Sequence, residues 1–353
     1  MRFAVILGDM YPADRAVKCG VLAEKYGFHA VFVPDHLTDI DGARIDCWTV
    51  LGAIASNTSR VLLGPGVADI HHVVPAKAAQ IVATLDELSA GRAILAVGAG
   101  EAMNIIPFGL EFEKPKDRIL RLREYVEVVK LLWMSSRDNL AYYRGKFYTL
   151  NEAFIDQKHV RKPHPLIYIG AIKSRKLLEL IGEMADGWFS WIVPVEKCGK
   201  YIDVIRESAL KHGRNPDSID TVIWIYTCLT EDPNIRKAAI NIGKAYLYVE
   251  KSILEEHGYK LETPNYTYLL AHKPFKTGDE LVKASSFVPE DLVEKTILVG
   301  DVDECIERVE EYRKAGAKCV GFRIMTIKGG LSIEESMKLI SEKVIPCFTE
   351  IYK

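Results

Sequence analysis

An α/β fold of the (β/α)8 TIM-barrel type follows from three observations on the sequence. Short, β-branched apolar runs alternate with helical patterns over most of the chain, which implies parallel strands joined by right-handed helical crossovers. Eight such runs, beginning at Phe3, Ala30, Val61, Ala93, Leu166, Gly187, Thr221 and Cys319, serve as strand starts, and eight is the number that closes such a barrel. The rival doubly wound sheet carries GxGxxG in its first strand-to-helix turn, and here Gly8-Asp9-Met10-Tyr11-Pro12 stands in that place.

In chain order, Phe3–Leu7 reads as the first strand, followed by an amphipathic helix over Ala13–Tyr26 that Gly27 closes. Ala30–Val33 is a strand, Cys47–Ser56 a helix, Val61–Leu63 a strand, and Pro75–Leu88 a helix ended by the turn Ser89-Ala90-Gly91. Ala93–Val97 precedes a long helix at Lys116–Trp133. The alternation resumes with strand Leu166–Ile169, helix Ser174–Met184, strand Gly187–Phe189, helix Val195–His212 and strand Thr221–Leu229. Lys295–Val299, the helix Asp301–Ala315, the strand Cys319–Ile324 and the helix Ser332–Phe348 complete it. Two segments depart from the pattern. Asn139–Leu150 reads as a β-hairpin turning at Arg144-Gly145, and Glu250–Glu294 is polar, aromatic and irregular with short helical pieces. Both are expected to be insertions at the C-terminal face of the barrel, where they set specificity. The whole chain, 1–353, is expected to be one barrel domain.

Composition narrows the class. The 353 residues are 48% hydrophobic and 27% charged, an ordinary globular balance. Lys and Arg number 46 against 48 Asp and Glu, a net charge of −2, so no basic excess exists to drive nucleic-acid binding. The seven cysteines (19, 47, 198, 228, 305, 319, 347) form no CxxC pair, so structural zinc and iron–sulfur spacing is missing and a reducing compartment is expected. The apolar run after Met1-Arg2 is five residues, too short for a signal core or a membrane span, and a soluble cytoplasmic protein is expected, with no membrane partner.

In a barrel of this kind the chemistry lies where strands end. That rule selects Pro34-Asp35-His36, the loop Gly64-Pro65-Gly66-Val67-Ala68-Asp69, the run Gly98-Ala99-Gly100-Glu101-Ala102-Met103-Asn104, and Gly170-Ala171-Ile172-Lys173-Ser174. Three of the four are glycine-rich, which permits close backbone approach to a flat or phosphorylated ligand. Asp35-His36 is an ionisable pair near neutrality, the plainer account being that Asp35 caps a loop and His36 packs. Glu101, after three small residues, can enter a pocket as a carboxylic acid, or simply favour a helix N-terminus. Lys173, Ser174 and Arg175 open a helix and suit either a phosphate or a solvated turn. His71-His72 does not make a metal site, because adjacent side chains point apart and no carboxylate spacing supports them.

These loops resemble the bacterial-luciferase-like superfamily of flavin and deazaflavin barrels, over nearly the whole chain, and most of all its coenzyme F420-dependent branch. Val97-Gly98-Ala99-Gly100-Glu101-Ala102-Met103-Asn104 is similar to the cofactor loop of the F420-dependent secondary alcohol and glucose-6-phosphate dehydrogenases. Leu63-Gly64-Pro65-Gly66-Val67 resembles the loop of the methylenetetrahydromethanopterin reductases, which implies a cis peptide between Gly66 and Val67 in a bulge behind the deazaflavin ring. The hairpin through Leu150, with Asn151–Phe154, resembles the alcohol and sugar-phosphate dehydrogenases and the phthiodiolone ketoreductases. The tryptophan that follows Asp-His in several of those enzymes is replaced here by Leu37-Thr38-Asp39-Ile40.

The resemblance implies an F420-dependent oxidoreductase acting on an alcohol/ketone pair. The alternatives are an F420-dependent 5,10-methylenetetrahydromethanopterin reductase and an FMN-dependent monooxygenase. It further implies that His36 accepts the hydroxyl proton with Asp35 orienting its imidazole, and that Glu101, its pKa raised by burial, exchanges a proton near the ring. Gly66, Val67, Ala68, Gly98, Ala99, Gly100, Glu101 and Asn104 would contact the cofactor. Gly170, Ala171, Lys173, Ser174 and Arg175 would lie at its phosphate. The family is commonly homodimeric, so a homodimer is expected; Trp48, Ala53, Val82 and Leu85 could face the partner, or belong to ordinary helix packing.

Overall fold

The first barrel strand shows how the fold is specified. Phe3, Val5 and Leu7 belong to one buried apolar cluster, while Ala4 and Ile6 belong to another. Side chains on a strand alternate between faces, so a continuously apolar strand must be buried on both. The same separation holds on the second strand (Val31 and Val33 against Ala30 and Phe32) and on the fourth (Leu95 and Val97 against Ile94 and Ala96). One face packs on the surrounding helices; the other fills the barrel.

The computed structural model describes residues 1–8, 12–39, 42–256, 258–259 and 278–349. Among them the barrel strands are Arg2–Ile6, Ala30–Val33, Leu62–Pro65 continued by Ala68–Asp69, Ile94–Gly98, Leu166–Gly170, Gly187–Trp191, Asp220–Leu229 and Cys319–Ile324. Neighbours pair in parallel throughout, and the eighth strand returns to the first (Phe3 opposite Val320). The third strand closes the ring in two halves, Leu62–Pro65 on the second strand and Ala68–Asp69 on the fourth, with the cis peptide Gly66–Val67 between them. A short strand, Leu298–Gly300, adds on to the end of the seventh. The expected barrel is therefore the one observed.

Local signals placed most of the helices. Asp46 caps Cys47–Ser56 by accepting from the Thr49 amide at 2.7 Å. Asp301 and Ser332 open helices with reciprocal capping boxes to Glu304 and Glu335, motifs worth about 1 kcal/mol each. At the N-terminal face, buried Arg92 donates to the carbonyls of Ala55, Thr58, Val61 and Ser89, while Asp86 accepts from the amides of Val160 and Arg161. These charges are spent on backbone groups and tie the lower loops together.

Three expectations need correction. The run Lys295–Val299 is not one strand: Glu290–Thr296 is helical and the strand begins at Leu298, because Leu292, Val293 and Thr296 bury one helical face. The hairpin pairs Ala141–Arg144 with Thr149–Ala153, so its second strand runs three residues past Leu150. The final helix is broken, with α-helix over Ile333–Leu339, a π turn at Ile340–Val344 and a last turn from Pro346, whose missing N–H cannot continue the ladder. Of the expected insertion at 250–294, residues 257 and 260–277 lie outside the described residues. Its flanking helices, Pro233–Val249, Gly278–Ala284 and Glu290–Thr296, share the apolar cluster of the barrel interior. Among the described residues no helix is long and apolar enough to cross a membrane.

Candidate active site

A cavity of about 320 Å3 opens at the C-terminal ends of the strands, within the size range of small-molecule sites. Its floor has almost no side chains. Gly66, Val67, Ala68, Gly98, Ala99, Gly100, Gly170 and Ala171 all line it. A Cβ at Gly98 would stand 2.7 Å from Val67 Cγ2, and one at Gly100, where φ is +91°, would stand 2.6 Å from Ile105 Cδ1. Only glycine leaves that floor flat. A planar ring system fits such a surface.

One wall is polar. The second strand ends at Val33 and delivers Asp35 and His36; the fourth ends at Gly98 and delivers Glu101 and Asn104. His36 Nε2 and Glu101 Oε2 face each other at 3.4 Å, with their side chains 22% and 41% exposed. Glu101 stands at the N-cap of the short helix Ala102–Ile105, and its side chain makes no capping bond there. The burial expected of Glu101 is absent. Asn104 Nδ2 donates to Glu101 Oε2 at 3.4 Å, and Asn104 Oδ1 accepts from the Leu37 and Thr38 amides at 2.8 and 3.0 Å.

Asp35 does not orient His36. It accepts from the Asp69 amide at 3.0 Å and faces His72 Nδ1 at 3.5 Å, and it lies against Cys47, whose thiol is pushed well up by burial and by this carboxylate. Neighbouring side chains diverge where the chain leaves a strand, so the two residues serve different partners. Behind the wall, Asp69 accepts from the Glu101 amide and from His71, whose Nε2 meets Glu113; Arg121 in turn donates to Glu113. Burial works against the charge on His71, but Asp69 and Glu113 raise its pKa.

The opposite wall is aromatic: Phe189 and Trp191 from the sixth strand, Trp224 and Tyr226 from the seventh. Trp191 and Trp224 stack with centroids 5.4 Å apart, and Trp224 meets Tyr226 edge-on at 5.5 Å. Arg323, from the eighth strand, lies over the Tyr226 ring at 5.2 Å. Ile192, immediately after Trp191, holds a φ of +49°, a conformation β-branched residues rarely adopt, and is fully buried. That left-handed step turns the chain where Trp191 meets the cavity.

The structure thus brings together Asp35, His36, Glu101, Asn104 and the glycine floor. Lys173, Ser174 and Arg175 are not in the lining: they stand at the start of the helix Arg175–Met184, where Arg175 Nε donates to Glu179 at 2.8 Å. Sequence reasoning missed Arg118, Trp191, Trp224, Tyr226 and Arg323 in the lining, gave Asp69 of the selected loop no role of its own, and missed the carboxylates around His71 and His72. A signal existed for two of them, since Val222, Trp224 and Tyr226 alternate on one face of a strand approaching its C-terminal end. Another was a lone arginine in the otherwise apolar strand Cys319–Ile324.

Comparison with known proteins places these features in context. The luciferase-like monooxygenase family matches residues 2–319. The chain is 29% identical to a 5,10-methylenetetrahydromethanopterin reductase of Archaeoglobus fulgidus over 98% of this chain and 99% of that one. It is 30% identical to a phthiodiolone/phenolphthiodiolone dimycocerosates ketoreductase of Mycobacterium tuberculosis over 92% and 83% respectively. Among solved structures, the coenzyme F420-dependent tetrahydromethanopterin reductase of Methanopyrus kandleri superposes with a TM-score of 0.80, 24% identity, and coverage of 98% and 99%.

Proposed function

The chain belongs to the luciferase-like monooxygenase family, and on that premise we propose that it is a coenzyme F420-dependent oxidoreductase that interconverts an alcohol and its ketone. The observation that carries this reading is the His36–Glu101 pair, 3.4 Å apart beside a flat glycine floor. Turning a hydroxyl into a carbonyl releases a proton, and a histidine at the edge of the pocket is suited to take it. F420, when bound, supplies the hydride-carrying ring. His36 then accepts the hydroxyl proton in the oxidising direction, and Glu101 shares the charge on its other side. The floor of Gly66, Val67, Ala68, Gly98, Ala99 and Gly100 holds the ring by shape. Gly170 and Ala171 of the lining, with Lys173, Ser174 and Arg175 outside it, are proposed to take the cofactor phosphate through the amides of the helix start. The whole chain is proposed to act as one catalytic unit and to pair as a homodimer, which sedimentation would test.

A second reading, reduction of a methylene pterin, is favoured by the full-length similarity to the Archaeoglobus reductase. It needs no hydroxyl proton, so it gives His36 no task. Titrating the protein with F420 and, separately, with FMN under absorbance decides the cofactor first. Binding of F420 and not FMN supports the deazaflavin reading; the reverse replaces it with an FMN monooxygenase. Secondary alcohols, ketones and methylene-tetrahydromethanopterin, screened by loss or return of the visible absorbance of F420, then decide the substrate. Turnover of the pterin alone overturns the alcohol/ketone reading.

A further inference from the structure

A neutral imidazole has one N–H and one lone pair, so it cannot donate in two directions at once. His71 has Asp69 Oδ1 at 2.7 Å from Nδ1 and Glu113 Oε2 at 2.9 Å from Nε2. His72 has the Asn104 carbonyl at 3.0 Å from Nε2 and Asp35 Oδ2 at 3.5 Å from Nδ1. All four neighbours are acceptors. Both rings are buried, their side chains 5% and 7% exposed, so water does not supply the missing donors. His71, bonded to a carboxylate on each nitrogen, satisfies its surroundings only as an imidazolium, whereas His72 donates from Nε2 and its buried Nδ1 makes no hydrogen bond, facing Asp35 instead.

The consequence reaches the cavity through one residue. His72 holds Asn104 by its main-chain oxygen. The Asn104 side chain in turn takes the amides of Leu37 and Thr38, which directly follow His36, and reaches Glu101. Asn104 is itself buried, 1% exposed, and bonds to the segments carrying both members of the pair. Resting on the reading of His36 and Glu101 as the proton-handling pair, we propose that His72, acting through Asn104, is a positioning residue that fixes the His36 segment against Glu101.

The charges around His72 are Asp35 from the loop after the second strand and Asp69, 4.0 Å from Nε2, from the third. Behind Asp69 lie His71, Glu113, Arg118 and Arg121. Burial opposes the imidazolium, but the carboxylates of Asp35 and Asp69 lift His72 to about 9. The Nε2–H that holds Asn104 is present in the imidazolium and in the neutral Nε2–H tautomer alike, so the hold itself does not depend on that titration.

Hydrogen–deuterium exchange on the whole protein, without cofactor, reads the hold directly at the amides of Leu37 and Thr38. In Asn104→Ala, which removes their acceptor, protection is expected to fall about tenfold or more. In His72→Ala the same two amides are expected to lose protection comparably, while amides of Asp220–Leu229 keep theirs. Unchanged protection at 37–38 in His72→Ala overturns the proposal. Should that variant lose protection everywhere, His72→Gln, whose side-chain amide can donate to the Asn104 carbonyl, decides: protection at 37–38 closer to the wild type than to Asn104→Ala supports the hold, and protection no better than in Asn104→Ala overturns it. With the reacting substrate, kcat in His72→Ala is expected to fall about tenfold with KM changed less than threefold, and a parallel rise in KM counts against positioning. The exchange measurement involves no F420, so failure of F420 to bind overturns the proposed function without touching this result.

Discussion

The two walls of the cavity come from the same architectural device, strand ends of one barrel, and yet they are built in opposite ways. The polar wall stands just past short strands: Ala30–Val33 and Ile94–Gly98 stop at the cavity floor, Asp35, His36 and Glu101 follow in irregular chain, and Asn104 sits in the single turn Ala102–Ile105. Asp35 and Asn104 are fixed by hydrogen bonds from backbone amides of other loops, and Asn104 in turn donates to Glu101. The aromatic wall stands largely on strands. Asp220–Leu229 is ten residues long, so its inward positions Val222, Trp224, Tyr226 and Cys228 extend from the core up past the floor. Its side chains are fixed by packing. A wall built on loops holds charge in place only through a network of bonds, whereas a wall built on a strand inherits its order from the sheet.

The widest separation between the walls is expected in turnover. His36→Ala or Glu101→Gln should lower kcat by roughly 10²–10⁴-fold while F420 still binds, as steady-state rates and absorbance titration would show. Loss of binding with residual turnover would mean that the polar wall serves the cofactor instead. Trp224→Ala should do the reverse, costing about 3–5 kcal/mol of stability in urea unfolding, because a nearly buried indole leaves a cavity in the barrel core. A cost below about 1 kcal/mol would show the aromatic wall to be surface rather than core.

Next in size is the pH dependence of the polar wall. The folded pKa of His72, about 9, lies above the unfolded value of 6.5. Its contribution is thus complete below about 6.5 and is lost as pH rises through about 9, an effect on the order of 3 kcal/mol. His71 moves in the same direction. Thermal unfolding of the wild type and His72→Ala should converge as pH is raised from neutrality to about 10; a constant gap would place the stabilisation elsewhere. The smallest effect is expected at Trp191. Trp191→Ala removes one stacked ring and should raise KM for the accepted substrate roughly three- to tenfold with little change in kcat. A fall in kcat alone would assign that ring to positioning the reacting carbon.

The barrel itself was legible because its signals are local. Short apolar runs, helical patterns between them, and Gly27 and Gly91 at helix ends each act within a few positions, and they place the strands and the helices around them. The polar wall was half legible: His36 and Glu101 follow strand ends, and the structure sets them face to face. The job of Asp35 was not. Its partners are Asp69, His72 and Cys47, and which of them a carboxylate meets depends on how three loops fold over one another.

The sequence by itself determined the parallel eight-strand ring, the rim at which the chemistry gathers, and the glycine floor, since each follows from periodicity, from conformational preference or from the rule that loops follow strand ends. Only the tertiary structure decided that His71 and His72 sit among carboxylates, that the Asn104 side chain ties His36 to Glu101, that Lys173–Arg175 stand outside the cavity lining, and that an aromatic wall faces the polar one. Those contacts join residues roughly 30 to 70 positions apart, and their geometry exists only once the ring has closed and brought the strand ends to one face.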